Sequence, residues 1–281
     1  EYFKKAARDA NIKASFASYK IRSILQKPGI DSDKARITLF KSFLSSTLLY
    51  GAEVWGLQQG EEIENSQCKF IKALYFLPRS TPNYVIRKEF GTTNLLSNIL
   101  RRAVNWFLKV REMDDYRLPR ICLEKQLRSL SLDSKFNWLA QLRDLFALSN
   151  RLDLWTELLN GNFDARSLDD LETSLNNVLI EKDLEKIVNS NYCPLYKHIL
   201  TRNRDYFRQS HLPLSRARVF YQLITSNTGY QSLFWGGVSH RFMLENRCPL
   251  CDLEQDTLEH FLVGCNLFHL FSYTSNHVII N

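Results

Sequence analysis

Three cysteines and one histidine near the C-terminal end form the most specific chemical motif in this sequence. They follow the pattern Cys-x2-Cys-x8-His-x4-Cys within 18 consecutive residues, as Cys248, Cys251, His260 and Cys265. Thiolates and imidazole are preferred zinc ligands, and two cysteines separated by two residues fit a tight turn that directs both sulfurs at one metal ion. Because four protein ligands leave no position for water, the motif predicts a structural zinc site. The alternative is a pair of reactive thiols beside a surface histidine.

Other candidate motifs are weaker. His240, His269 and His277 lie near the cysteines, but their spacings fit a four-ligand site less well than that of His260. No Gly-x-Ser-x-Gly, Walker or His-Glu-x-x-His motif occurs, so nothing supports serine hydrolase, nucleotide-binding or metalloprotease chemistry.

Positive charge is concentrated in the first part of the chain. The formal net charge of +7 divides into +9 over residues 1–110, −4 over 111–190 and +2 over 191–281. A basic region in a chain with a zinc motif indicates nucleic acid, because Lys and Arg contacts to phosphate release counterions. The alternative is a set of solvated helix faces that bind nothing.

The composition favours a folded protein of a reducing compartment, the nucleus or cytoplasm. Outside the zinc motif the cysteines are single, Cys68, Cys122 and Cys193, and such cysteines in helical contexts are usually small buried hydrophobic residues. No stretch is apolar enough for a membrane span, and no secretory signal is recognisable. The chain begins at Glu1 without an initiator Met, which favours a piece of a longer protein.

Apolar periodicity predicts a mainly α fold, with helices ahead of a small zinc-stabilised C-terminal module. Helices are expected at about 2–26, 61–77 and 95–113, and a further buried stripe contains Ile37, Phe40, Leu44 and Leu48. More helices, with Trp138 and Trp155 as core anchors, are expected over 118–190.

The segment Tyr50–Gly56 joins two of these helices and contains two glycines, which indicate a bend or a close backbone contact. Tyr50 and Trp55 are interpreted as core residues, with base stacking as the alternative. Glu53 is interpreted as a partly buried carboxylate paired with Arg or Lys.

Several segments in a fixed order carry a family resemblance. They are Leu48–Gly56, a helix with Gln67, Phe70 and Ile71, the connection Leu77–Asn83, Arg87–Gly91, the pair Cys248–Cys251, and Thr257–Phe261 followed by Cys265. This order resembles the C-terminal part of the reverse transcriptase of LINE-type non-LTR retrotransposons, from the thumb-like region through the Cys-Cys-His-Cys zinc knuckle. The resemblance covers roughly 1–110 and 215–270.

Charge, periodicity and the resemblance together predict three regions: a thumb-like basic helical region at 1–115, an acidic helical region at 116–210, and a C-terminal region with the zinc knuckle at 211–281. The resemblance also implies that RNA and DNA, as template–primer or target site, are partners, together with an upstream polymerase palm and fingers in the same protein. Nucleic-acid-binding candidates are Lys69, Lys72, Arg79, Arg101, Arg102 and Lys109.

The aspartates that polymerases need are absent at the expected place. Polymerase chemistry requires carboxylates that hold two metal ions, with one in an aromatic-x-Asp-Asp turn. The nearest candidates, Glu112–Asp115 and the pair Asp169 and Asp170, are interpreted as solvated helix-end acids. This chain alone should therefore not polymerise, and Mg²⁺ would bind only in the parent polymerase domain. The alternative function is a degenerate or host-adopted zinc-binding helical interaction protein.

Overall fold

Helices dominate the computed structural model, which describes residues 3–25, 33–130, 137–192, 196, 213–225, 231–235, 238–242, 247–248, 251–255, 260 and 265–266. In chain order the helices are α1 (Lys4–Leu25), α2 (Asp33–Phe40), a π-helical segment (Lys41–Ser45), α3 (Ser46–Leu48), α4 (Ala52–Trp55), α5 (Gly60–Leu74), α6 (Asn83–Phe90), α7 (Leu95–Arg111), α8 (Leu118–Arg128), α9 (Trp138–Leu148), α10 (Leu152–Asn160), α11 (Ala165–Asn189) and α12 (Leu214–Ile224). The predicted mainly α fold is confirmed.

The first hydrophobic core lies mainly among α1 to α6, with further residues from α7, α11 and α12. Helix α1 packs against α5, and its buried residues recur at helical spacing: Ala7, Ala10, Ala14, Ile21 and Leu25. The stripe predicted from Ile37 to Leu48 is buried too, although a π-helical segment interrupts it. Within this core the rings of Phe40 and Phe70 stack with their centroids 4.5 Å apart. Apolar periodicity therefore identified the buried stripe of Ile37, Phe40, Leu44 and Leu48 correctly.

Helix α5 ends three residues before the predicted end at Leu77. Phe76 adopts a left-handed conformation with φ 55°, and the amide of Leu77 donates to the carbonyl of Lys72 over 2.8 Å. This is the Schellman arrangement that closes helix C-termini. Helix α12 covers the same end, where Arg218 Nε donates to the Leu74 carbonyl over 2.9 Å and its guanidinium lies 3.7 Å from the Phe76 ring centroid.

Helix α7 contributes to both cores of the protein. Leu95 and Ile99 belong to the first core, whereas from Leu100 onward the helix belongs to a second core formed with α8 to α11. The side chain of Asn137 accepts hydrogen bonds from two amides at the start of α9, and that of Asp164 accepts one at the start of α11. Trp155 is buried in the second core, as predicted.

A network of buried charge connects α5, α6 and α11. Arg87 donates to both carboxylate oxygens of Asp183 over 2.6 Å and to Glu64 over 3.2 Å. Glu64 also accepts from the Leu95 amide at 2.9 Å, and thus satisfies a donor at the N-terminus of α7.

Burial and then the Glu64 carboxylate raise the pKa of the Cys68 thiol, so this cysteine is a protonated core residue, as predicted. Cys122, in contrast, is exposed, and Cys193 lies outside the described residues.

Beyond α12 the described chain forms an antiparallel hairpin, β1 (Gln231–Trp235) and β2 (Val238–Phe242), in which Gln231 pairs with Phe242 and Trp235 with Val238. Within the part of the chain that the structure describes, no helix has the length and apolar character needed to cross a bilayer.

Candidate metal centre and basic surfaces

The four residues of the predicted zinc site converge. The donor atoms of Cys248, Cys251, His260 and Cys265 all lie within 4.8 Å of one another. Cys248 Sγ lies 3.9 Å from Cys265 Sγ, and Cys251 Sγ lies 3.2 Å from His260 Nε2. Tetrahedral zinc with Zn–S bonds of about 2.3 Å separates two sulfurs by about 3.8 Å. The residues therefore fit a four-coordinate zinc ion and could hold one.

Short-range backbone hydrogen bonds arrange the cysteines. The Cys248 amide donates to the Glu254 carbonyl over 2.8 Å, and the Asp252 amide donates back to the Cys248 carbonyl over 2.9 Å. Asp252 has φ 55°, a left-handed conformation that Asp tolerates better than most residues and that closes the turn. The Cys265 amide donates to the His260 carbonyl over 2.6 Å, so the second pair of ligands is also held locally.

Hydrogen bonds in this turn favour the thiolate form that zinc binds. The Leu253 amide, followed by the Glu254 amide and His260, outweighs burial and lowers the pKa of Cys251 to about 6. For His260, burial disfavours the imidazolium, but the contacts with Cys251 and Glu254 prevail and raise its pKa. A zinc ion would replace the proton between these two residues, because it takes thiolate and neutral imidazole as ligands.

Glu254 is a neighbour of the candidate metal site that the sequence analysis did not single out. Its Oε2 lies 2.7 Å from His260 Nδ1, whereas Nε2 of the same ring faces the cysteines. A carboxylate at the second nitrogen of a zinc-binding histidine fixes the orientation of the ring and increases its basicity. Its only signal in the sequence is an acidic residue between the two ligand pairs, and three other acids share that loop.

We expect Glu254→Ala to weaken zinc binding about 10- to 100-fold, because loss of such an outer carboxylate has an effect of that size. Competition between the full-length chain and a chromophoric chelator measures the zinc affinity. Leu253→Ala is the matched control, because Leu253 is an exposed neighbour that contributes to the site through its backbone. Equal affinities for the Glu254 variant and the control would contradict the role of this carboxylate.

The six basic residues predicted to bind nucleic acid are placed differently from one another. Lys69, Arg79, Arg102 and Lys109 are exposed. Lys72 donates to Asn83 Oδ1 over 2.9 Å and to the Arg79 carbonyl over 3.3 Å, so it ties α5 to the start of α6. Arg101 does not lie on a free outer face, because Asp169 and Glu172 of α11 both accept its hydrogen bonds. Their binding to nucleic acid stays a prediction.

The acidic residues that were considered as polymerase carboxylates, in 112–115 and at Asp169 and Asp170, do not form a metal-binding arrangement. The side chain of Asp115 is 96% exposed, and that of Asp169 is 68% exposed and paired with Arg101. Within the described residues the Cys and His cluster is the one group of three or more potential ligands that comes together. The interpretation of these aspartates as solvated acids agrees with this arrangement.

In the segment Tyr50–Gly56 one of the two predicted core residues is not in the core. Trp55 is buried and donates from Nε1 to the Tyr50 carbonyl over 3.3 Å, but Tyr50 is 83% exposed. Tyr50 lies in the turn that follows α3, where the left-handed conformation of Gly51, with φ 68°, reverses the chain into α4. Glu53 is partly buried and lies 3.9 Å from Arg102 Nη1, as predicted.

Gly56 makes the close contact predicted for this segment, since an added Cβ would lie 3.1 Å from the Ile99 side chain of α7.

Comparisons of this chain with protein-family models, with curated proteins and with solved structures found no match.

Proposed function

We propose that this chain is the nucleic-acid-engaging C-terminal part of a retrotransposon reverse transcriptase, in which basic helices and a zinc-stabilised module hold template–primer or target nucleic acid. The observation that carries the proposal is the convergence of Cys248, Cys251, His260 and Cys265 at zinc-binding distances, in the order and spacing of the zinc knuckle that the family resemblance includes.

The charge distribution supports the nucleic-acid part of this proposal. Residues 1–110 contain 18 Lys and Arg against 9 Asp and Glu. Four of the six candidate residues, Lys69, Arg79, Arg102 and Lys109, present their side chains to solvent. Phosphate contacts from such residues supply sequence-independent affinity, which suits a protein that grips a duplex by its backbone.

In this proposal the chain supports catalysis but does not perform it. Zinc has a structural role, since four protein ligands leave no open position on the metal. The carboxylates that would bind Mg²⁺ belong to the palm of the upstream polymerase, which with the fingers would complete the enzyme in the same polypeptide. The nucleus or the cytoplasm, both reducing, would keep the zinc thiolates intact.

Salt dependence tests the proposal. We expect the zinc-loaded full-length chain to bind a fluorescein-labelled RNA–DNA duplex, with an affinity that falls roughly 100-fold between 50 and 200 mM salt if about four phosphates are neutralised. Fluorescence anisotropy titrations at several salt concentrations measure the slope. Absent or salt-insensitive binding would contradict the proposal and favour a zinc-binding interaction protein without a polymerase partner.

A further inference from the structure

Helix α1 has an exposed aromatic stripe opposite its buried stripe. Ile12, Phe16 and Tyr19 follow one another at spacings of 4 and 3 residues, so they lie on one face of the helix. Phe16 and Tyr19 are 71% and 72% exposed, while the alanine-rich stripe on the other side contacts the core. Single exposed apolar residues are ordinary, but three in register on one helix indicate a binding surface.

Positive charge flanks this stripe. Five cationic residues of α1 are exposed: Lys4, Lys5, Arg8, Lys13 and Lys20. The helix contains one acidic residue, Asp9, against these. The guanidinium of Arg22 lies 5.9 Å from the centroid of the Tyr19 ring, so a cation also accompanies the aromatic stripe itself.

A cleft borders a neighbouring flank of α1, between the aromatic stripe and the buried stripe. Its volume is about 440 Å³, and its walls include Asp9 and Lys13 of α1 together with Thr47, Tyr50 and Trp55. Tyr50 lies in the turn between α3 and α4, directly before the left-handed Gly51, and its side chain is part of the wall of this cleft. The exposed aromatic ring and the ammonium group of Lys13 therefore line one opening.

We propose that the exposed face of α1 and the cleft at Tyr50 form a binding site for single-stranded nucleic acid. Bases stack on Phe16, Tyr19 and Tyr50, and phosphates contact Lys13 and Lys20. Aromatic platforms interleaved with cations are the arrangement that binds single strands without sequence readout. The exposed Lys and Arg residues around the stripe complement the negative charge of a nucleic acid. The groove of an uncharged partner protein would offer them no counter-charges. The inference rests on the proposed function and locates its single-strand contact.

The test compares variants of the zinc-loaded full-length chain by fluorescence anisotropy. Labelled 12-nucleotide oligothymidylate and oligouridylate separate DNA from RNA binding, and a 12-base-pair duplex tests preference for single strands. The triple variant Phe16→Ala/Tyr19→Ala/Tyr50→Ala is expected to bind both single strands at least ten-fold more weakly, since each stacked base contributes substantially. Lys13→Ala/Lys20→Ala should reduce the salt slope on single strands by about 1.4, or 0.7 per phosphate contact.

Matched controls are Tyr116→Ala and Lys125→Ala, because both residues are exposed and lie outside α1 and the cleft. Circular dichroism equal to that of the wild type establishes that each variant is folded. Normal single-strand binding by the aromatic triple variant would overturn the inference and leave the proposed function standing. Failure of the wild type to bind any of the three probes at 50 mM salt would overturn both. Binding to anionic phospholipid vesicles but not to oligonucleotides would identify a lipid surface instead.

Discussion

Removal of zinc is expected to unfold the C-terminal module while the helical cores remain folded. Cys251→Ala or His260→Ala should do the same, because each removes one of four ligands whose donor atoms lie within 4.8 Å of one another. Zinc contributes about 10–16 kcal/mol to the folding of comparable small modules, more than a turn held by a few backbone hydrogen bonds supplies alone. The expected readouts are loss of the single bound zinc ion and new protease cleavage after about residue 240.

The two hydrophobic cores explain why this unfolding should stay local. Among the residues that the structure describes, both cores are built from the chain between Ala7 and Ile224, and neither includes one of the four candidate metal ligands. Far-UV circular dichroism should therefore change little on chelation. Cys122→Ala is the matched control, because Cys122 is an exposed cysteine outside the cluster, and its variant should keep one zinc ion per chain. Loss of helicity throughout the chain on chelation would contradict a local role for zinc.

The convergence of the four candidate metal ligands could be predicted from the sequence because they are local. All four fall within 18 residues, and the short loops that join them limit how far apart the donors can be. The role of Glu254 could not be predicted in this way. Asp252, Glu254, Asp256 and Glu259 all stand between Cys251 and His260, and the choice among them depends on the path of the loop.

The helices show the same contrast between local features, which the sequence predicts, and contacts between distant residues, which it does not. Periodicity predicted α1 and α7 closely, because the residues that bury a helix face recur every three or four positions. The sequence analysis also proposed Arg101 of α7 as a nucleic-acid contact, but Asp169 and Glu172 of α11 pair with it. Those partners lie about 70 residues further along the chain, and helical periodicity contains no information about such distant polar contacts.

Tyr50 shows a third limit of sequence reasoning. An aromatic residue next to a predicted helix is usually buried, and its neighbour Trp55 follows that rule. Tyr50 is exposed in the turn between α3 and α4, where Gly51 has a left-handed conformation. The glycine indicated a bend, but glycine accepts left-handed and right-handed conformations about equally, so the sequence did not specify the direction of the chain at this turn.

Replacement of Arg87 by Leu is expected to destabilise the protein by about 3–5 kcal/mol, because it leaves the carboxylates of Glu64 and Asp183 in the interior without their cation. The side chain of Arg87 is only 12% exposed, and its partners come from two other helices, α5 and α11. The thermal midpoint should fall by roughly 10 °C, given about 2–4 °C per kcal/mol for a chain of this size. Differential scanning fluorimetry and urea denaturation measure the loss.

Arg101→Leu is the control that separates the effect of burial on stability from the effect of losing a positive charge. Arg101 also bridges two acids of α11, but its side chain is 39% exposed, and water screens such pairs. Its loss should therefore lower the free energy of unfolding by only about 0–1 kcal/mol.

The double variant Arg87→Leu/Glu64→Gln should recover part of the stability that Arg87→Leu loses, because it removes one unpaired charge while Gln can still accept from the Leu95 amide. Equal destabilisation by the two arginine replacements would contradict the prediction that burial makes the ion pairs of Arg87 more important for stability than those of Arg101.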